Sequence, residues 1–246
     1  GKTQMNYAHD RVELKRQYRK TELNTRWPIA STDRPDLDDM RDYLYERGLS
    51  HELARGNGWY PSWDAGDDYL RIVIPALSSE VGHAYWQARA INPRAFIRYQ
   101  SPKGPRHDAL VRITPENRTY RPDQRQYDRV AVITEGPMDA LAAAQCGVFG
   151  YGLMGATPST IVLDRLVSFL KNEYEYIFVM PDRDAVKEGI DILYRLAVEM
   201  MPVKLIRLEQ WTDKKDFASL PIATRRTILM GELDAWEKES RRNRSR

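Results

Sequence analysis

The chain has 246 residues, 42% of them hydrophobic and 10% aromatic, with a formal net charge of +3. That length and apolar content suffice for one large domain or two small ones with a real core. No apolar run approaches the eighteen or so residues of a membrane span, and the polar, basic N-terminus has no signal-peptide core, so cytoplasmic residence is expected and a membrane partner is not. A single cysteine, Cys146, excludes an internal disulfide and a multi-cysteine zinc site, and its apolar surroundings predict a packed, inert thiol. His9, His51, His83 and His107 stand too far apart to form a metal-ligand pair.

Residues 10–23 read as a charged, weakly helical arm, and residues 27–35 as a breaker-rich connector. From Asp36 the spacing of Leu37, Met40, Tyr43 and Leu44 predicts a helix, closed by Gly48 after Arg47. Ser50 is placed to cap a short helix through Arg55, and residues 56–61 read as loop. Residues 69–75 and 83–90 predict two strands joined by a turn. Residues 92–128, rich in Pro and Arg and poor in periodicity, predict irregular structure around a binding surface.

From Arg129 the rhythm becomes strand and helix in alternation: strand 130–134, helix 138–146, strand 148–153, and a turn at Gly155 before Thr157, a candidate N-cap with Pro158 after it. Helix 158–171 is expected to turn Ile161, Leu166, Val167 and Leu170 inward, and strand 176–180 follows. Helix 185–201 carries Val186, Ile190, Leu193, Ala197, Val198 and Met201 on one stripe, and residues 203–208 complete the set. The predicted fold class is α/β, a mostly parallel sheet flanked by helices on both faces. A smaller basic α+β subdomain precedes it and a C-terminal helix follows. The tail from Pro221 reads as helical to Ser240, with a disordered end at Arg241, Arg242, Arg244 and Arg246. Four segments are therefore expected: a basic arm and connector at 1–35, a basic subdomain at 36–128, the α/β domain at 129–220, and the helix and tail at 221–246.

The net charge conceals a segregation, +4 over residues 1–29, −6 over 30–85, +6 over 86–129, −4 over 130–220 and +3 over 221–246. Of the 38 basic residues 28 are Arg, the side chain suited to bidentate phosphate contacts and to stacking on bases. In the positive stretch these interleave with Tyr85, Trp86, Phe96, Tyr99, Tyr120 and Tyr127, the composition of a single-strand-binding surface.

The chemistry concentrates at two strand ends. Residues 129–139 are an apolar run closing in Glu135-Gly136-Pro137-Met138-Asp139, and residues 176–184 are a second closing in Pro181-Asp182-Arg183-Asp184. In an open α/β sheet, ligands bind at the carboxyl ends of strands. Oxygen-only clusters there suit Mg²⁺ or Mn²⁺ rather than zinc. If extended geometry persists, Asp182 and Asp184 project to one side, roughly 7 Å apart, and Arg183 faces away from both. Asp216, in the loop beyond the last strand, joins them on the ligand side. For Asp139 a helix first-turn carboxylate, stabilised by the dipole, is an equal reading.

These motifs resemble the TOPRIM domain of DnaG-type primases, topoisomerases and several nucleases. Glu135-Gly136-Pro137-Met138-Asp139 resembles the primase form of its first motif, Asp182-Arg183-Asp184 its Asp-x-Asp, and Lys215-Asp216 its later acidic position. Upstream, Tyr69-Leu70-Arg71-Ile72-Val73-Ile74-Pro75, Gly82, Ala88-Arg89 and Arg98-Tyr99-Gln100-Ser101-Pro102 resemble, in order, the basic subdomain that precedes TOPRIM in bacterial and phage primases. Tyr43-Leu44-x-x-Arg47-Gly48-Leu49-Ser50 resembles that subdomain's opening helix. The chain departs from the pattern at Arg183, where glycine is usual, at Val186-Lys187, where a small pair is usual, and at Ala218, where a second acid is usual.

The resemblance implies metal-dependent synthesis of short RNA primers on single-stranded DNA. Glu135, Asp182 and Asp184 would be catalytic; these three with Asp139 and Asp216 would be the ligands of Mg²⁺ or Mn²⁺. Glu135 would serve either as general base or as a further ligand. Arg71, Arg89, Arg98, Tyr99 and Lys103 map onto nucleic-acid or nucleotide contacts. The implied partners are a single-stranded DNA template, ribonucleoside triphosphates and a replicative helicase. A TOPRIM nuclease, or a single-stranded-DNA-binding module with a retired site, are the competing readings.

Overall fold

The computed structural model describes residues 27–65, 69–76, 85–102, 109–115, 129–155 and 157–244. The expected arm at 10–23 and Lys103 lie outside them. Helix α1 (Arg34–Glu46) starts earlier than its apolar spacing indicates, because Pro35 fits a first turn, where its missing N–H costs nothing. It ends as expected at Gly48, whose φ of +65° is a left-handed conformation that favours glycine. Ser50 caps α2 (His51–Gly56) by accepting from the Leu53 N–H at 3.1 Å.

Four antiparallel strands follow, in the order β1 (Tyr60–Ser62), β2 (Arg71–Ala76), β3 (Tyr85–Ala90) and β4 (Tyr99–Gln100). β1 stands where a loop was expected. Pro61 reads as a breaker, yet on an edge strand its missing donor interrupts no ladder. The stretch 92–128 is also more regular than its composition indicates. Besides β4 it contributes β5 (Leu110–Ile113), which pairs antiparallel with β7 (Phe149–Leu153) and so carries the second sheet across the expected boundary at 129. Four residues are too few to show a period.

The second sheet runs β5-β7-β6-β8-β9, with β6 (Val130–Thr134), β7, β8 (Tyr176–Met180) and β9 (Val203–Leu205) parallel. Its two faces are filled by alternate residues. Val130, Val132, Phe178 and Met180 pack on one side with α3 (Pro137–Ala144) and the C-terminal α6 (Ile222–Arg244). Ala131, Ile133, Ile177 and Val179 pack on the other with α4 (Thr160–Leu170) and α5 (Val186–Val198). The first face shares its core with Met40, Leu44, Ile72 and Ile74, so the upstream segment is not a separately cored unit.

The helix readings need three corrections. α4 is capped by Ser159, which accepts from the Val162 N–H at 3.3 Å, rather than by Thr157. This shifted start leaves Ile161 exposed and buries Val162 with Leu166, Val167 and Leu170. On α5 the buried line is Gly189, Ile192 and Leu196, whereas Ile190 and Val198 are exposed. Gly189 decides this rotation, because a Cβ there would lie 2.6 Å from Pro181 Cγ, so the helix presents its smallest residue to the β8 turn. α6 continues to Arg244 where disorder was expected, anchored by Leu233 and by Trp236, whose ring meets Tyr176 and Phe178 edge-on at 5.2 Å each. Among the described residues no helix is long and apolar enough to cross a membrane.

Candidate active site

The strand order places the acids. From β6 the chain passes through α3 to β7 on one side, then through α4 to β8 on the other, so the crevice between the ends of β6 and β8 is the sheet's switch point. Glu135 follows β6 directly and Asp182 follows β8 after Pro181. Gly136 caps α3 with a φ of −135°, extended backbone open to any residue, and Pro137 takes the first turn, where its missing N–H costs nothing.

The Asp-x-Asp segment is a turn rather than strand, closed by the Ala185 N–H on the Asp182 carbonyl at 3.0 Å. Strand alternation therefore does not govern it. Asp182 is half-buried and Asp184 exposed, its carboxylate 2.9 Å from Lys215 Nζ. The Arg183 guanidinium donates to the Asp213 carbonyl, while its backbone N–H bonds the Lys215 carbonyl at 3.2 Å. Arg183 thus stitches the turn to the 213–215 loop, and lysine is the cation that meets an acid. Lys215 escapes notice in the sequence as a functional group because it lies 31 positions from Asp184.

Asp139 is buried, with the Ala218 N–H donating to its Oδ1 at 2.7 Å. Burial and then the Asp216 charge push its carboxyl up to about 6. Burial, followed by Asp139, Glu135 and Asp216, pushes Asp182 up to about 7. Glu135 is raised by burial and then by Asp184, whereas the Lys215 hydrogen bond lowers Asp184. Asp216 caps the 3-10 turn Phe217–Ser219 by accepting from the Ser219 N–H at 2.8 Å. The five carboxylates thus lie in one another's field, the mark of a cluster short of positive charge.

The donor chemistry is all oxygen and suits a hard divalent ion. The side-chain placement does not complete a site. Among the described residues no three His, Cys, Asp or Glu side chains stand where they could hold a metal ion, since Asp184 is turned to Lys215 and Asp139 to Ala218.

The residues mapped to nucleic-acid contact separate into two kinds. Arg71 is fully buried, its guanidinium donating to the carbonyls of Ile97 at 2.9 Å, Ala88 at 3.3 Å and Arg98 at 3.5 Å, so it braces the first sheet from within. Arg98 is exposed. Arg89 is buried, its guanidinium 4.6 Å from the Tyr99 ring centroid and its Nε donating to the Tyr43 hydroxyl at 2.9 Å. Arg47 in turn lies over the Tyr43 ring at 5.7 Å. Arg47 over Tyr43 and Arg89 over Tyr99 are therefore two cation–ring pairs on the upstream segment, joined by the hydrogen bond from Arg89 to the Tyr43 hydroxyl. The sequence marks Tyr43 and Arg47 only as part of a helix; their i, i+4 spacing is the signal that could have paired them.

Asp139 supports a direct prediction. A carboxyl whose pKa is higher folded than unfolded binds its proton more tightly in the folded state, so folding is favoured at low pH. That advantage is lost as pH rises from about 4 through about 6. Asp139→Asn keeps an oxygen for the Ala218 N–H and removes the buried charge. It is expected to raise stability by about 2–3 kcal/mol at pH 7.5 and by little at pH 4, because each tenfold gain in proton affinity on folding is worth about 1.4 kcal/mol. Urea denaturation at both values checks this, and an equal gain at both would exclude the buried charge as the cause.

No protein-family model matches the chain, and no curated protein matches its sequence. Solved structures do match. The zinc-binding and RNA polymerase domains of the Aquifex aeolicus primase superpose with a TM-score of 0.57 at 14% identity, over 82% of this chain and 59% of that one. The RNA polymerase domain of Mycobacterium tuberculosis primase DnaG gives 0.52 at 15% identity, over 78% and 75%. A third match, TM-score 0.46 at 16% identity over 79% and 88%, comes from the bacteriophage T7 lagging-strand DNA polymerase interacting with primase domains of two gp4 subunits bound to an RNA/DNA hybrid and dTTP. The first two show that the chain has the fold of DnaG-type primase domains, in keeping with the resemblance carried by its motifs. The chain spans 59% of the Aquifex protein matched.

Proposed function

We propose that this chain is the catalytic core of a DNA primase, joining ribonucleotides into short primers on a single-stranded DNA template in a metal-dependent reaction. The observation that carries the reading is the pairing of Glu135 and Asp182 across the switch point of a primase-type sheet, with Asp139, Asp184 and Asp216 within electrostatic reach.

Mg²⁺ or Mn²⁺ would be held by Glu135, Asp182 and Asp184, with Asp139 and Asp216 in support, and would neutralise charge building up on a transferring phosphoryl group. To receive it Asp184 must give up Lys215, which leaves that ammonium free for a phosphate oxygen. Glu135 would serve either as such a ligand or, held off the ion, as the base that takes a proton from a primer hydroxyl, a role to which its raised pKa is suited. On the upstream segment the exposed Arg98 offers a cation for a phosphate and the partly exposed Tyr99, backed by the buried Arg89, a ring for a base, which supports template binding there. Burial of Arg71 assigns it to the scaffold of that surface. A replicative helicase and cytoplasmic residence belong to the same reading.

The test is to incubate the protein with single-stranded DNA, labelled ribonucleotides and Mg²⁺ or Mn²⁺. Oligoribonucleotides that depend on template and metal are expected. Shortened DNA would identify a nuclease instead, and retention of DNA with neither product a binding module. Template affinity should also fall steeply with salt, because each neutralised phosphate releases counterion, and Arg98→Ala should flatten that dependence.

A further inference from the structure

We infer that Arg225, on the first turn of α6, is a positioning residue for the acidic cluster, acting through the placement of Ala218. The inference rests on the primase reading for its catalytic consequence but not for its geometry. Arg225 is fully buried, yet among the described residues it forms no ion pair with a carboxylate. Its guanidinium is spent on oxygens of three separate segments. One terminal nitrogen donates to the Gly48 carbonyl at 3.0 Å and to Gln145 Oε1 at 3.2 Å; the other donates to the Arg47 carbonyl at 3.2 Å and the Ala218 carbonyl at 2.6 Å.

A buried, unpaired guanidinium is a poor way to stabilise a fold, since apolar residues of similar volume serve as well or better. Its placement gives it a different use. The residue whose carbonyl accepts the shortest of these bonds, Ala218, donates its own N–H to Asp139 Oδ1 at 2.7 Å, the one hydrogen bond that carboxylate accepts among the described residues. The carbonyl and the N–H belong to the two peptide groups that flank the Ala218 Cα, so the Arg225 bond fixes where that residue sits and, with it, the direction of the N–H aimed at Asp139. Arg225, Ala218 and Asp139 therefore form one line from α6 to the switch point.

The other two backbone acceptors, Arg47 and Gly48, close α1, so the same side chain ties the Arg47–Tyr43 pair of the upstream face to the acids. Lysine cannot reproduce a fork that reaches four oxygens, but it can keep the charge and reach one or two.

The experiment compares wild type with Arg225→Met, Arg225→Lys and Asp139→Ala by amide exchange, urea denaturation and steady-state primer synthesis. In Arg225→Met the Ala218 amide is expected to exchange at least tenfold faster while amides of β6 and β8 keep their protection. In primer synthesis kcat should fall at least tenfold with KM for nucleotide within twofold, and Arg225→Lys should recover part of both effects. A structural role alone would loosen α6 and the sheet together. Unchanged Ala218 exchange in Arg225→Met overturns the inference. Should that variant not fold, Arg225→Lys carries the test, and wild-type Ala218 exchange and kcat there overturn it equally. If wild type makes no primers, the primase reading fails while the exchange comparison, with Asp139→Ala as its reference for a lost Ala218 bond, still decides the geometry.

Discussion

Replacing Glu135 by Gln together with Asp182 by Asn is expected to lower primer synthesis at least about a thousandfold, corresponding to about 4 kcal/mol of lost transition-state stabilisation. The two acids flank the crevice between β6 and β8, and both are raised by burial and by neighbouring carboxylates. The amides keep the shape and remove the charge that a divalent ion requires. They also relieve carboxylate repulsion, so the variant should unfold at the same urea concentration as wild type or a higher one. Calorimetric Mn²⁺ titration alongside the synthesis assay separates loss of the ion from loss of the fold. Wild-type synthesis by the double variant would remove these residues from the chemistry.

Both acids were legible in the sequence, because an apolar run that stops at a carboxylate is a local pattern and strand ends carry ligands in this class of sheet. Alternation of strand and helix from 129 onward was legible for the same reason. What could not be read is what depends on partners far away in the chain. The turn at 182–184 is held by the 213–215 loop, so the expected strand alternation of Asp182 and Asp184 did not survive. Arg71 looks like a basic contact residue, and only the carbonyls of β3 and of the 97–98 segment reveal that it braces the sheet. Helix rotation was missed where the most apolar stripe was not the buried one. On α5 the close approach of Gly189 to Pro181 outweighed the transfer of Ile190 and Val198 out of water.

Close approach of backbone also sets the last and most severe expected result, for Gly150→Ala. Gly150 lies on β7 beneath α3, and a Cβ there would sit 2.1 Å from the Ala140 carbonyl oxygen and 2.7 Å from its carbon. Those are main-chain atoms, so no rotamer can relieve the clash and α3 must lift from the sheet. The alanines at 140 and 142–144 and the second glycine of β7, Gly152, whose Cβ would meet Pro137 Cα at 2.9 Å, show how closely helix and strand are pressed together. Overpacking of this kind costs about 3 kcal/mol or more, since the lifted helix also exposes its apolar face. Gly56→Ala, at a helical position with nothing within 4 Å of the added carbon, is the control and should lose no stability, gaining up to about 1 kcal/mol. The consequence extends to the site, because α3 follows Glu135 immediately and carries Asp139. Below the unfolding transition Gly150→Ala should therefore lose primer synthesis beyond what its unfolded fraction explains. Urea denaturation gives the first quantity and synthesis per folded molecule the second. A loss of stability under about 1 kcal/mol would mean that α3 has room to yield and that the contact does not fix the acids.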